Sequence, residues 1–155
     1  KRYDLAVKAA TKLNKKLIVF GNGPAHDQLV KLAGPTVEFR TDRFGDASDA
    51  EYEKAITTAR GFIYPAEEDF GIVSVEALAA GAPVIGLARG GTTDIVTSPD
   101  IGTLFQHQTV DDIAKAIKIT EQTRFYPSKL ARTAKRFDKG LFLTKIRKVV
   151  RDNTP

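Results

Sequence analysis

The sequence contains no cysteine, no methionine and no tryptophan among its 155 residues. The lack of cysteine excludes disulfide frameworks, thiolate metal sites and cysteine nucleophiles, and it is compatible with a reducing compartment. No apolar run approaches the roughly 20 residues needed to cross a bilayer, and the first residues lack the apolar segment of a signal peptide. We therefore expect a cytoplasmic location, at the inner face of a membrane if the chain touches one. Because methionine is absent, we also expect that sequence is missing before Lys1.

The composition indicates one water-soluble globular domain. Hydrophobic residues make up 42% of the chain and charged residues 28%, which is typical of a folded domain. At this length, one domain with a substantial core is expected. The formal net charge of +5 and the isoelectric point near 9.5 favour anionic partners, for which nucleotide phosphates, anionic lipid and nucleic acid all remain open.

Short apolar runs alternate with amphipathic segments along the chain, which predicts a doubly wound, mostly parallel α/β sheet with helices on both faces. The predicted strands are "KLIVF", "TVEFR", "GFIYP", "PVIGL" and "GTLFQ". The predicted helices cover residues 3–13, 25–33, 49–60, 72–80, a short stretch from Thr92 or Thr93, 110–120, 127–137 and 140–151. The last two helices form an extra C-terminal portion that packs on the sheet or returns to another domain.

Ligands of such a fold lie beyond the carboxyl ends of the strands. Of the loops at that edge, the acidic one is the most informative. Glu67, Glu68 and Asp69 leave the strand "GFIYP", and Gly71 opens a helix whose first N–H groups can receive a phosphate. Carboxylates repel phosphate but accept hydrogen bonds from the hydroxyls of a sugar or ribose, and Glu76 lies one turn into the helix. The alternative is that these acids are solvated residues favoured by the helix dipole.

Other candidates are weaker on sequence grounds. Gly21 and Gly23 form a turn that would let backbone approach a ligand, although most such turns are only turns. Lys1 can reach a pyrophosphate if the first helix begins near the crevice, or it is merely solvated. The basic residues of the last two helices form a solvated face or contact an anionic membrane. Aromatic residues are not interleaved with them, so no nucleic-acid partner is predicted.

Three segments together resemble the C-terminal, donor-binding half of family 4 retaining glycosyltransferases of the GT-B architecture: "KRYDLAVKAATKLNKKLIVFGNGP", "EEDFGIVSVEALAAGAPVIG" and "RGGTTDIV". The resemblance covers nearly the whole chain. Within the family, the sequence is similar to mannosyltransferases of polysaccharide assembly. The resemblance implies that Glu68 is the catalytic residue, whose carboxylate holds hydroxyls of the donor sugar near the reacting centre, and that Glu76 binds the ribose. It further implies donor contacts from Phe70, Gly71, Ile72, Val73, Gly21, Gly23, Lys1 and the segment 40–43, beginning with Arg40.

The resemblance implies a function: transfer of a sugar, with mannose expected, from a nucleotide diphosphate sugar such as GDP-mannose or a UDP-sugar to a glycan or lipid-linked acceptor. It implies no metal and no other cofactor, and it makes residues 1–155 the nucleotide-sugar-binding domain of a larger enzyme. The family's acceptor domain, its first donor-domain strand and a glycine-arginine turn would precede Lys1. Alternatives are a non-catalytic nucleotide-sugar-binding or scaffold domain of the same fold, and a phosphorylase or epimerase on the same architecture.

Overall fold

A computed structural model of the protein describes residues 1–21, 23–40 and 49–154. Strands and helices alternate through most of that chain. The strands are β1 (Leu17–Phe20), β2 (Val37–Arg40), β3 (Phe62–Tyr64), β4 (Val84–Leu87) and β5 (Gly102–Phe105). The helices are α1 (Tyr3–Leu13), α2 (His26–Leu32), α3 (Asp49–Thr57), α4 (Ile72–Ala79), α5 (Gly91–Ile95), α6 (Val110–Gln122), α7 (Pro127–Ala134) and α8 (Lys139–Asn153), with a 3-10 turn at Lys135–Phe137.

The strands form two parallel sheets. In the first sheet β1 pairs with β2, with Leu17 opposite Val37 and Phe20 opposite Arg40. In the second sheet the order is β3-β4-β5, so that β4 is central. All pairs are parallel, as the alternation of strands and helices predicts. The expected α/β class is confirmed, but the described strands form two sheets instead of one continuous sheet.

Helices cover both faces of the central strand, because β4 turns successive side chains to opposite sides. Val84 belongs to a core shared with α3, α4, α5 and α7, in which Leu78 and Leu130 are fully buried. Ile85 and Leu87 belong to a second core shared with α1, α6 and β5. This two-sided burial is the doubly wound arrangement that the sequence predicts, and it explains why the run "PVIGL" is apolar throughout.

Local signals account for the limits of the helices that matter most here. Helix α1 buries Leu5, Ala9 and their neighbours on one face and ends at Asn14, which adopts a left-handed conformation. Helix α4 ends before Gly81, whose φ of +88° is readily adopted by glycine. A methyl group on Gly81 would lie 2.8 Å from the Cβ of Pro127, so the glycine also allows α7 to pack closely against α4.

The two sheets have unpaired edges. Strand β1 pairs only with β2, and β3 pairs only with β4, among the residues that the structure describes. Although β1 is wholly apolar, each of its four residues is only half-buried. A continuous apolar run of this kind predicts a strand that is buried on both faces, and the open edge is the physical reason for its partial exposure. Helix α1 contacts β2 and also packs in the core that contains β4 and β5, so it spans both sheets.

The C-terminal helices differ in how they pack. Leu130 and Ala134 of α7 enter the core against α4, whereas α8 has no buried residue. The side chain of Asp138 accepts a hydrogen bond from the N–H of Gly140 and so caps the start of α8. No helix within the described ranges is long and apolar enough to span a bilayer.

Candidate functional site

The carboxyl end of β3 leads directly into the acidic loop. Tyr64, Pro65 and Ala66 are buried, after which Glu67 and Asp69 are exposed and Glu68 is partly exposed. The side-chain amide of Gln108 donates a 2.8 Å hydrogen bond to the carbonyl of Pro65, which fixes the backbone at the strand exit. The acidic residues therefore extend from a rigid support at the ligand-binding edge of the sheet.

The loop after β4 presses against this exit. The N–H of Gly91 donates a 2.8 Å hydrogen bond to the carbonyl of Glu68. A methyl group on Gly90 would lie 2.4 Å from that same oxygen, and one on Gly91 would lie 2.4 Å from the carbonyl oxygen of Asp69. Only glycine permits this approach of two backbones. The immediate role of the two glycines is therefore to hold the acidic loop in place.

Helix α4 begins at the end of the acidic loop with an open amide end. Gly71 precedes the helix with a φ of +86°, and no side chain caps the helix start. The first described helical hydrogen bond runs from the N–H of Ser74 to the carbonyl of Gly71, so the N–H groups of Ile72 and Val73 donate to no described backbone acceptor. An eight-residue helix with free amide donors and a positive dipole end can receive an anion such as a phosphate.

Lys1 lies at the same place. Its Nζ is 2.7 Å from Oε1 of Glu68, although 67 residues separate the two in sequence. The Glu68 side chain is 30% exposed and that of Lys1 is 55% exposed, so the pair is accessible to a ligand. The hydrogen bond from Lys1, with a further contribution from Tyr64, lowers the pKa of Glu68 below its usual range. The structure thus brings together a cation, a carboxylate and a free helix end.

The remaining predicted residues are placed as follows. Phe70 and Ile72 are exposed at the start of α4, and the Phe70 ring meets that of Phe137 edge to face at 5.5 Å between centroids. Glu76 is exposed on the same face of α4 as Ile72, and the structure gives it no ion pair with a described residue. Its exposure makes Glu76 accessible to a ligand, and a solvated acid would be exposed in the same way.

The residues predicted near the nucleotide lie at the first sheet. Gly21 follows β1 with a φ of +110°, and its N–H donates to the carbonyl of Arg40 at 3.0 Å. Open space surrounds Gly23, where an added methyl group would have no neighbour within 4 Å. The guanidinium of Arg40 pairs with Glu38 at 2.7 Å and so is engaged within the protein. The rest of the predicted base-binding segment, residues 41–43, lies outside the described residues.

Two polar residues of the site were missed from the sequence. Tyr64 was counted only as part of an apolar strand, yet its hydroxyl is buried beside the acidic loop. Arg89 follows β4, and its guanidinium lies 4.0 Å from Glu67 with both side chains more than half exposed. The signal available for Tyr64 was its place at the end of a buried strand that leads into an acidic loop. The signal for Arg89 was its place beside the glycine pair.

These features define a class of protein: a parallel α/β domain that presents carboxylates, a cation and a free helix N-terminus at the ligand-binding edge of its sheet. The family model described as "Glycosyl transferases group 1" matches residues 1–137. The chain therefore belongs to the group 1 glycosyltransferase family. The GT-B relationship expected from the sequence is supported at this level, whereas the mannosyltransferase specificity stays a prediction.

Individual proteins agree with that assignment. The chain is 31% identical over 157 residues to the sulfoquinovosyl transferase SQD2 of Arabidopsis thaliana, covering 95% of this chain and 30% of that protein. Its fold resembles a sucrose-phosphate synthase of Thermosynechococcus elongatus (TM-score 0.78, 24% identity, 98% of this chain, 42% of that one). It also resembles the lipopolysaccharide outer core galactosyltransferase WaaB (TM-score 0.83, 16% identity, 99% and 46%). The chain spans less than half the length of each of these proteins.

The Lys1–Glu68 pair predicts a shift in titration. In a Lys1→Ala variant the pKa of Glu68 should rise toward its ordinary value, because the largest cause of its depression is gone. A depressed carboxyl pKa stabilises the fold above the unfolded pKa, and this stabilisation is lost as the pH falls through the folded pKa. The variant should therefore protonate Glu68 at higher pH, which ¹³C NMR of the glutamate carboxyls can measure.

The matched control is Lys12→Ala, which removes a cation paired with Asp111 at 2.6 Å in the last turn of α1. It should leave the titration of Glu68 unchanged while the pKa of Asp111 rises. An unchanged Glu68 titration in Lys1→Ala would show that the 2.7 Å pair does not persist in solution.

Proposed function

We propose that the complete protein is a retaining glycosyltransferase and that residues 1–155 form its nucleotide-sugar-binding domain. The observation that carries the proposal is the open amide end of α4 beside the Lys1–Glu68 pair. A diphosphate fits a helix N-terminus and a lysine, and the hydroxyls of a sugar fit a carboxylate. A nucleotide diphosphate sugar has both kinds of group next to each other.

Each residue then has a task that follows from its chemistry. The N–H groups of Ile72 and Val73 and the ammonium of Lys1 stabilise the negative charge that develops on the leaving diphosphate. Glu68 accepts hydrogen bonds from the donor sugar next to the breaking bond and stabilises positive charge on that sugar. The exposed Glu76 accepts from the ribose, since it lies one turn further along the same helix face. Gly21 and Gly23 lie under the nucleotide, with Arg40 near the base.

The donor that we propose is GDP-mannose, on the resemblance of the segments "KRYDLA", "GPTVEF" and "EEDFGIV" to mannosyltransferases of polysaccharide assembly. The relatives described above are named for other sugars, namely sulfoquinovose, sucrose phosphate and galactose, so UDP-sugars belong in every assay. We propose a glycan or lipid-linked acceptor bound by a second domain. No metal or other cofactor is required in this proposal, because the helix end and Lys1 neutralise the leaving group.

The proposal predicts the kinetics of two variants of the complete protein. With the best donor from a panel of GDP-mannose, UDP-glucose and UDP-galactose, Glu68→Gln should lower kcat about 100-fold, since Glu68 acts beside the reacting bond. Glu76→Gln should instead raise KM for the donor about tenfold, because a charge-assisted hydrogen bond to the substrate is lost. Product formation by each variant is measured across donor concentrations.

The control variant is Glu53→Gln, which makes the same change at an exposed position of α3 that is not among the proposed donor contacts. It should retain normal kcat and KM. Full activity in both Glu68→Gln and Glu76→Gln would refute the site. Failure of calorimetric titration to detect GDP or UDP binding would favour the scaffold alternative.

We further propose that sequence before Lys1 supplies a strand between β1 and β3. Lys1 contacts Glu68 at the carboxyl end of β3, so the chain that enters α1 begins beside that strand. A parallel strand placed there, followed by α1 and β1, forms a right-handed crossover and would join the two sheets. It would also cover the half-buried apolar residues of β1. The acceptor domain would lie further upstream.

Hydrogen exchange can test the additional strand. The N–H groups of Leu17 and Gly21 donate toward β2 and that of Phe62 toward β4, so alternation along the strands turns the N–H groups of Ile18, Phe20 and Ile63 toward the open edges. In the complete protein these three amides should exchange as slowly as Val19, which faces β2. Rapid exchange at all three, with Val19 protected, would exclude the strand.

Helix α8 is the part of the chain that we propose meets an anionic membrane surface. Four of its exposed apolar residues fall on one face at helical spacing: Phe142, Ile146, Val149 and Val150, of which Phe142 is 60% exposed, whereas the exposed Leu141 lies outside that face. Basic residues flank this face and cover the rest of the helix, namely Lys145, Arg147, Lys148 and Arg151, opposed by one acid, Asp152. An exposed apolar stripe flanked by cations is complementary to an anionic bilayer surface.

Vesicle sedimentation tests this contact. The complete protein should bind vesicles that contain phosphatidylglycerol and not vesicles of phosphatidylcholine alone, and high salt should weaken binding. Lys148→Glu should weaken it at least about tenfold, because each basic residue near the surface contributes about 1 kcal/mol. Lys54→Glu on α3 is the charge-matched control. If the stripe is instead covered by another part of the protein, neither vesicle will bind and Phe142 will be protected from solvent.

A further inference from the structure

Tyr64 lies under the acidic loop and is held rigidly. It is the last residue of β3 and is 1% exposed. Its ring stacks on that of Phe62 with 6.0 Å between centroids and 20° between planes. Its Cε1 is 3.5 Å from the position that a Cβ of Gly71 would occupy, so the ring lies beside the start of α4. The hydroxyl of Tyr64 therefore has a fixed position next to the free helix end.

The hydroxyl is buried and makes no well-aligned hydrogen bond with any residue in the described ranges. An unpaired buried hydroxyl is unfavourable, so its retention calls for a partner. Glu68 follows Tyr64 by four residues on the loop that leaves β3, and each group shifts the pKa of the other. Burial, followed by the nearby Glu68 carboxylate, raises the pKa of Tyr64, which keeps the phenol protonated and able to donate.

In the proposed function, Glu68 loses its ion pair with Lys1 when the donor binds. In the unliganded protein Lys1 holds the Oε1 atom of Glu68 at 2.7 Å. A diphosphate bound at the start of α4 competes for Lys1, because a dianionic group attracts the ammonium more strongly than one carboxylate does. If Lys1 turns to the diphosphate, only the backbone of Glu68 remains held, through the hydrogen bond from Gly91.

We infer that Tyr64 is a positioning residue for Glu68: its buried hydroxyl donates a hydrogen bond to the carboxylate and keeps it aimed at the donor sugar when Lys1 contacts the diphosphate. This inference rests on the proposed function of Glu68. Tyr64 does not touch the substrate, because its hydroxyl is buried. A phenylalanine at this position would fill the same space and lack only the hydroxyl.

Several charged or titratable groups surround this carboxylate. Lys1 and Tyr64 interact with Glu68 directly, and Tyr3 of α1 interacts electrostatically with both of them. Within the described ranges, Glu67 and Arg89 form the neighbouring pair at 4.0 Å. Because Lys1 is the largest cause of the low Glu68 pKa and Tyr64 is the second, removal of the Tyr64 hydroxyl should raise that pKa by less than removal of Lys1 does.

The test is a double-mutant cycle in the complete protein with Tyr64→Phe and Glu68→Gln, assayed with whichever nucleotide sugar supports transfer. Tyr64→Phe should lower kcat about 10- to 100-fold, as expected when a reacting group is held less well, with KM for the donor changed less than about threefold. In the Glu68→Gln background Tyr64→Phe should cause no further loss. In ¹³C NMR, the Glu68 carboxyl of Tyr64→Phe should titrate at higher pH than in the unmodified protein.

The control is Tyr126→Phe, which removes the hydroxyl of an exposed tyrosine before α7 and should change neither kcat nor the titration of Glu68. A purely structural role for Tyr64 would lower thermal stability and leave that titration in place, which would overturn the inference. If the losses of kcat were additive in the double variant, the inference would also be overturned, but the proposed role of Glu68 would stand. Full activity of Glu68→Gln alone would overturn both the proposed role of Glu68 and the role of Tyr64.

Discussion

The site depends on the close contact between the two loops that follow β3 and β4. Gly90 and Gly91 have no side chains, so the backbone of their loop lies directly against the carbonyls of Glu68 and Asp69, and one of those carbonyls is hydrogen-bonded. This contact fixes where the acidic loop ends and therefore where α4 begins. The free N–H groups at the start of α4 and the backbone of Glu68 thus keep a constant separation. A rigid arrangement of charges lowers the cost of stabilising a transition state, because little reorganisation is needed during the reaction.

Acidic residues beside an anion site appear contradictory, and the charge pairing of the loop resolves the contradiction. Glu68 is paired with Lys1, and Glu67 lies near Arg89. Each pair is partly exposed, so it contributes little to stability but keeps the local potential from becoming strongly negative. In the proposed function, a diphosphate then approaches the positive end of α4, while the carboxylates remain available to hydroxyl groups. The loop therefore separates two tasks that one kind of side chain could not perform.

The sequence predicted the order and type of the elements well, because the periodicity of the apolar residues directly reflects burial. The run "PVIGL" is buried on both faces, as expected of a central parallel strand. The equally apolar run "LIVF" is only half-buried, since burial also depends on a neighbouring strand that periodicity cannot reveal. At the site, the acids and the glycine before α4 were predictable from spacing. The 2.7 Å contact of Lys1 with Glu68 was not predicted, because residues so far apart in sequence meet only in the folded chain. The role of Tyr64 was missed, since an apolar strand pattern treats tyrosine as another large side chain.

The fold leaves two surfaces uncovered, the open edges of β1 and β3 and the apolar stripe on α8, and their chemistry indicates what can cover each of them. The open edges of β1 and β3 present backbone N–H and C=O groups, which need hydrogen-bonding partners at fixed spacing and are matched by another strand. The backbone groups of α8 are hydrogen-bonded within the helix, so its stripe presents only side chains. Such a surface can be covered by an apolar medium, because it needs no partners at fixed spacing. A strand therefore suits the first surface and a membrane interface the second. With the additional strand in place, the start of α1 would be tethered next to β3, and Lys1 would remain within reach of both Glu68 and a diphosphate at α4.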